Sequence, residues 1–231
     1  MARIVKEHAV RRNEILDVAQ RLVYTKGYEQ MTIQDILDGL QISKGAFYHY
    51  FDSKQALLEA ILERIQEEAE QLLIPIVQDP HLPALDKLQR FFATLNQYKT
   101  TQKAFFLELL RVWYADDNAI VRQKARAAGV KWVTPWLSVI IRQGIEEGIL
   151  TTSYPEQVGE VVLSLALDLG ETLGGLLLSF EPDHDDMLRV EGIVAAYTDA
   201  LERTLGAPRG SLQIVDDETL KEWFVSARDN A

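Results

Sequence analysis

The chain has no cysteine in its 231 residues. Disulfides, thiolate metal sites and cysteine nucleophiles are therefore excluded, which fits a reducing compartment. Histidine is scarce as well, with only His8, His49, His81 and His184. No two of them stand at ligand spacing and no HExxH occurs, so no metal and no cofactor are expected. His184, inside Asp183-His184-Asp185-Asp186, reads as part of a polar turn capping a helix. The chain has no GxSxG and no glycine-rich phosphate loop. Without paired catalytic groups, an enzyme is not expected. Charges interrupt Met1 to Arg12, so no signal peptide is read there. The longest apolar stretch, Val161 to Phe180, contains Asp168 and Glu171. It reads as a buried helix, not a membrane span, and a cytoplasmic location with no membrane partner is expected. No strand signal, internal repeat or low-complexity tract appears.

What is present is an ordinary globular composition, 47% hydrophobic, with a net charge of −11. The acidity is uneven. Residues 1–54 carry eight Lys/Arg against seven Asp/Glu, which leaves 16 against 28 in the remainder. The N-terminal part is thus near neutral, and an acidic body weakens non-specific attraction to polyanions.

The densest signals lie in Thr32 to Leu57, TIQDILDGLQISKGAFYHYFDSKQAL. A hydroxyl at Thr32 and a carboxylate at Asp35 make a helix start in which each side chain reaches the other's amide. Ile33, Ile36, Leu37 and Leu40 recur at helical spacing. A short loop at Gln41 joins this helix to a second one, capped by Ser43 and running over Lys44 to Tyr50, the linkage of a helix-turn-helix. Phe47 and Phe51 share one face and are assigned to the core. Lys44, Gly45, Tyr48, His49 and Tyr50 are left outside, where donors and rings suit phosphates and base edges. Asp52 or Ser53 caps the next helix. Lys54 in its first turn opposes the helix dipole, a cost that makes sense beside a phosphate.

The order Thr…Asp-Ile…Ser-Lys-Gly-x-Phe-Tyr-x-Tyr-Phe-x-Ser-Lys over about residues 10–58 resembles the DNA-binding domain of tetracycline-repressor-type transcriptional regulators. Gln41 departs from the glycine often found in that turn. The resemblance implies an operator in double-stranded DNA as partner and a phosphate contact from Thr32. The candidate DNA-binding set is Thr32, Ser43, Lys44, Gly45, Tyr48, His49, Tyr50 and Lys54.

Around this stretch, Met1 to about Val10 is expected to be an arm. Arg11 to Lys26 is read as an amphipathic helix ended by Gly27. Lys54 to about Val77 is a long helix that Pro75 ends or kinks. Helices follow over Ala84–Gln97, Lys103–Tyr114, Ala119–Glu147 with Pro135 as a kink or break, Glu156–Ser179, Asp183–Leu205 and Asp216–Ala227. Asp116-Asp117-Asn118 breaks the chain between two of them. Trp113, Tyr114, Trp132 and Trp136, with Phe106, Arg111 and Asp168, form the candidate pocket for a small-molecule effector. The resemblance implies only that such a pocket lies in the C-terminal domain. The helices at 156–179 and 183–205 are expected to pair with a second copy in a four-helix interface.

The expected fold is all-α, with a three-helix helix-turn-helix domain (1–53), a connecting helix (54–78) and a helical ligand-binding and dimerisation domain (79–231). The expected function is a sequence-specific DNA-binding regulator, a repressor released from a palindromic operator by a small molecule. The alternatives are a ligand-independent helical architectural or partner-binding protein, and an enzyme built on the C-terminal helices.

Overall fold

The computed structural model describes residues 2–115, 118–179 and 184–224, and among these no strand forms. The side chains of residues 2–7, 184 and 185 are outside the description, as are Asp116, Asp117, the Phe180–Asp183 turn and residues 225–231. The described helices are α1 (Ala2–Lys26), α2 (Ile33–Leu40), α3 (Lys44–Tyr48), α4 (Lys54–Gln78), α5 (Ala84–Thr101), α6 (Lys103–Tyr114), α7 (Ala119–Glu146), α8 (Val158–Ser179), α9 (His184–Leu205) and α10 (Asp217–Phe224).

The chain forms two compact units. One comprises Met1–Glu68 with Ala104–Ala125, the other Ala69–Lys103 with Arg126–Ala231. The division differs from one at residues 53 and 78. Phe105, Leu109 and Val112 of α6 and Val121 of α7 are buried in the same cluster as Phe47 and Leu57, so these segments pack with the N-terminal helices. α4 supplies residues to both units.

In the first unit α1 begins at Ala2, so the expected arm is helical backbone. Ile15, Leu16, Ala19 and Val23 are fully buried along it, and Gly27, at φ +81°, ends it. The start of α2 is a complete capping box. Asp35 N–H donates to Thr32 Oγ1 at 3.1 Å, and Thr32 N–H donates to Asp35 Oδ2 at 2.7 Å. Lys26 adds donors to both Asp35 oxygens at 2.8 and 2.7 Å. Gln41 closes α2 in the left-handed region at φ 53°, ψ 44°, at a cost of about 1 kcal/mol for a residue with a Cβ. Its neighbour Ile42 sends its N–H back to the Leu37 carbonyl at 3.1 Å, which closes the turn.

Ser43 Oγ accepts the Ala46 N–H at 3.2 Å and starts α3. α3 ends at Tyr48 and not at Tyr50. The Tyr50 N–H bonds only three residues back, to Phe47, which tightens the exit into a turn. Ser53, not Asp52, caps α4, accepting the Ala56 N–H at 3.0 Å. Ion pairs between elements tie the unit together: Arg64 to Asp17 at 2.6 Å, Arg12 to Glu63 at 3.4 Å and Lys124 to Glu59 at 2.8 Å.

Pro75 and Pro135 lie inside α4 and α7 without ending them. Both prolines, and the residues four positions before them, Gln71 and Lys131, are exposed. Water can therefore serve the carbonyls that lose a helical partner.

In the second unit, Ala84 N–H at the start of α5 is held by the Glu147 carboxylate at 2.9 Å, and buried Lys87 donates to the Val77 carbonyl at 2.8 Å. α8 packs on α9. α8 is long and apolar enough to cross a membrane by length and composition alone, yet it carries Glu160, Asp168 and Glu171. The C-terminal segment docks as expected. Buried Glu202 accepts the Gly210 and Leu212 amides at 2.9 and 3.0 Å. Asp216 caps α10, and Trp223 Nε1–H reaches Thr100 Oγ1 at 2.8 Å. The expected continuation of this helix to Ala227 lies outside the described residues.

The capping box yields a pH prediction. The Lys26 hydrogen bond, then the Thr32 backbone and hydroxyl donors, hold the Asp35 carboxyl at about 2. A depressed carboxylate stabilises the fold above its unfolded pKa of about 3.9, and that contribution is lost as pH falls through the folded value. The α2 start should therefore stay protected from amide exchange down to about pH 4 and open progressively toward pH 2. Asp35→Asn should already be open at neutral pH. A carboxyl signal at Asp35 that titrates near 4 in NMR would contradict the cap.

Candidate nucleic-acid interface

The interface is built on buried aromatics. Phe47 is fully buried and Phe51 nearly so, their centroids 5.9 Å apart. α3 is only five residues long, too short to persist on its own. Its orientation is fixed because Phe47 anchors it from below. The residues around that anchor point outward: Ser43, Lys44, Gly45, Tyr48 and His49 are exposed, and Tyr50 is half-buried.

Tyr48 sits edge-on to Phe47 at 5.4 Å, and Lys44 Nζ lies 5.9 Å from the Tyr48 ring centre. Such a cation–π contact at an exposed site is weak, about 0.5–1 kcal/mol, and leaves the ammonium's donors available. A Cβ placed on Gly45 would meet only Ser43 Oγ, at 4.0 Å, so packing within the protein does not demand glycine there. His49 and Tyr50 form an edge-on pair at 5.0 Å.

Two of the expected contacts are committed to local structure. Both the N–H and the hydroxyl of Thr32 donate to Asp35. Lys54 turns back on the α1–α2 turn. Its Nζ donates to the Glu29 carbonyl at 3.2 Å and lies 4.3 Å from the Tyr28 ring centre, while Tyr28 Oη–H donates to the Lys54 carbonyl at 3.3 Å. Burial lowers the Lys54 ammonium's pKa, and burial beside Glu29 pushes the Tyr28 phenol up to about 12. Lys54 thus joins the start of α4 to the end of α1 in a way that its sequence position does not reveal.

His8 was not singled out as a contact by the sequence. Its ring lies 4.5 Å from Tyr50 and 5.4 Å from His49. Arg12, one turn on, lies 5.5 Å from the Phe51 ring centre. The available signal was the spacing of His8, Arg12 and Ile15/Leu16, which places them on one stripe of α1.

The expected effector residues are not gathered in one unit. Phe106, Arg111, Trp113 and Tyr114 belong to the first, and Trp132, Trp136 and Asp168 to the second. Arg111 is exposed and paired with Glu108, and Asp168 is exposed and accepts the Tyr197 hydroxyl. As polar groups in apolar stretches they were expected to line a cavity. Their helices instead turn them outward. Trp113 faces a small enclosed space with Leu58, Leu62, Leu109 and Arg122, whose volume of about 10 Å³ holds at most one water. A larger open groove of about 360 Å³ lies between α9 and the C-terminal segment, with Glu191, Thr198, Glu202, Leu212 and Leu220 among its lining. None of the seven expected residues lines it. Trp132 Nε1–H is buried without a hydrogen-bond partner. Among the described residues no cluster of three or more His, Asp or Glu side chains is placed to hold a metal ion.

Comparison with known proteins agrees with this geometry. Residues 15–61 match the model of bacterial regulatory proteins of the tetR family, and residues 111–172 match a tetracyclin repressor-like C-terminal domain. The HTH-type transcriptional repressor NemR of Escherichia coli K12 is 30% identical over 190 residues, covering 80% of this chain and 94% of that protein. The repressor DhaR of a Mycobacterium species is 25% identical over 137 residues, covering 59% and 68%. Among solved structures, E. coli NemR in its reduced form superposes with a TM-score of 0.54 at 21% identity, covering 85% of this chain and 98% of that one. SmeT, repressor of a Stenotrophomonas maltophilia multidrug efflux pump, superposes at 0.62 with 16% identity, covering 89% and 96%. These structural likenesses concern the fold. The helix-turn-helix built on Phe47 and the extended similarity to NemR together establish that this chain is a member of the tetR family of bacterial regulatory proteins.

Proposed function

We propose that this regulator is a repressor that reads an operator with the surface around α3 and leaves it when a small molecule binds the helical body. The observation that carries the reading is the exposure of Lys44 and Tyr48 on a five-residue helix whose only buried side chain is Phe47, with exposed His49 capping its end. In a helix-turn-helix the second helix enters the major groove and the first crosses the backbone. Tyr48 and His49 then meet base edges, while Lys44 grips a phosphate. Gly45, uncrowded within the protein, allows the DNA backbone to come close. Ser43 and Thr32 hold the two helix starts at that surface. Lys54 fixes the start of α4 and keeps donors for a phosphate, since only one of its three is committed to Glu29.

Regulators of this family bind operators as dimers. In this chain the pairing surface is assigned to residues 156–179 and 183–205. Val161, Leu178 and Leu188 on α8 and α9 are 47%, 41% and 52% exposed. A Cβ on Gly170 or Gly192 would meet nothing within 4 Å, leaving room for a helix of a second copy. Two reading heads would then address half-sites one helical turn apart, about 34–36 Å. The effector site is assigned to the C-terminal body near Trp132 and Trp136, because the unpartnered Trp132 N–H offers a donor to a ligand acceptor. The protein works in the cytoplasm and carries out no catalysis.

Three outcomes test this reading. On an operator selected from random duplexes, Tyr48→Ala should weaken binding about tenfold to a hundredfold and relax preference at one base position. Lys44→Ala should weaken all sequences alike and lower the salt slope by about 1. Identical effects of the two substitutions on every duplex would sink the division into base and phosphate contacts. Second, a ligand that raises the melting temperature should, at saturation, weaken operator binding by about 5- to 150-fold. Unchanged affinity would remove the inducer role. Third, Val161→Glu should turn the dimer into a monomer in sedimentation velocity, and an unaltered dimer would place the interface elsewhere.

A further inference from the structure

We propose that His8 is a positioning residue for the DNA-reading surface: its ring, packed against His49 and Tyr50, holds those two side chains in place beyond the end of α3. The inference rests on the reading of that surface as the DNA interface.

The need for such a residue follows from the length of α3. The helix ends at Tyr48, and His49 and Tyr50 occupy the turn that follows. Tyr50 has lost the regular helical bond, its N–H reaching only Phe47. Backbone hydrogen bonds do not set side-chain rotamers, so the orientation of both rings depends on what packs against them. Tyr48 is held by Phe47 beneath it, but His49 is exposed and no core side chain lies against its ring among the described aromatic contacts.

α1 supplies what is missing. The rings of His8, His49 and Tyr50 close a triangle with centroid separations of 5.4, 4.5 and 5.0 Å. Two sides of it, His8–His49 and His49–Tyr50, are edge-on at 72° and 85°, and His8 lies tilted over Tyr50 at 47°. The edge-on geometry of the first two is a favoured arrangement for aromatic pairs. The contact continues along α1, where Arg12 lies over Phe51 and Ile15 and Leu16 enter the core that holds Phe47. One stripe of α1 thus meets His49, Tyr50 and Phe51 and enters the core that holds Phe47. His8 is the member of that stripe at the exposed edge, where packing against the core has ended.

The physical consequence is preorganisation. Side chains that are already fixed do not lose rotamer freedom when DNA binds, and operator affinity rises without any contact from His8 itself. A ring of similar size should serve as well as the imidazole, because the role is packing.

The test uses the full-length protein and two substitutions. His8→Ala removes the ring, and His8→Phe restores a ring without donors or acceptors. In the DNA-free protein, aromatic NMR resonances of His49 and Tyr50 should move toward unstructured values in His8→Ala and return in His8→Phe. On the operator selected from a random duplex pool, His8→Ala should bind about three- to tenfold more weakly with an unchanged salt slope, and His8→Phe should recover most of the loss. Resonances that ignore the alanine substitution overturn the proposal. So does a phenylalanine variant as weak as the alanine one, which would make His8 a direct DNA contact. A pool from which the wild-type protein enriches no sequence would overturn the DNA-reading function itself, and this proposal with it; that outcome is distinct from the first two, in which the wild type still selects an operator.

Discussion

The proposed recognition surface depends on the burial of one side chain. α3 has five residues and cannot supply its own stability, since nucleating a helix costs more than so few hydrogen bonds return. Phe47, with no exposed surface, converts it from a fluctuating turn into a fixed platform. Removing a buried phenylalanine costs about 3–5 kcal/mol in well-packed proteins, a large share of a small unit's stability. The exposed groups on α3 itself, Lys44 and Tyr48, are placed by that anchor.

A second layer of constraints sets the angle at which the platform is held. The Thr32–Asp35 box fixes the start of α2 and Lys26 ties it to the end of α1. Gln41 accepts a left-handed backbone to make the turn short. Lys54 binds the α1–α2 turn to the head of α4. α6 also belongs to this unit through Phe105, Leu109 and Val112, so the unit that carries α3 includes a helix far along the sequence, Lys103–Tyr114. The acidic remainder of the chain adds no attraction for DNA. Affinity must then come from a few well-placed groups, and keeping those groups in place matters correspondingly more.

The sequence determined the local events of this protein, because their causes are local. Thr32 and Asp35 are three residues apart and fix the start of α2 by themselves. Ser43 does the same for α3, and Gly27 and Gly148 supply the positive φ that ends α1 and α7. The 3.6-residue spacing of apolar side chains marks most of the helices and identifies Phe47 and Phe51 as core. The order of these residues over about fifty positions was specific enough to indicate the family. Only the tertiary structure decided which distant side chains meet. It divided the aromatic residues at 106–136 between two units, because periodicity shows that a face is buried and not what covers it. It turned Arg111 and Asp168 outward and sent Lys54 to the Glu29 carbonyl. It also stopped α3 two residues early, where the turn at Tyr50 satisfies the backbone differently, and it brought His8 against His49 and Tyr50 across about forty residues of chain. Contacts of that kind depend on how helices cross, and the crossing is set by the packing of whole faces, which no short stretch of sequence encodes.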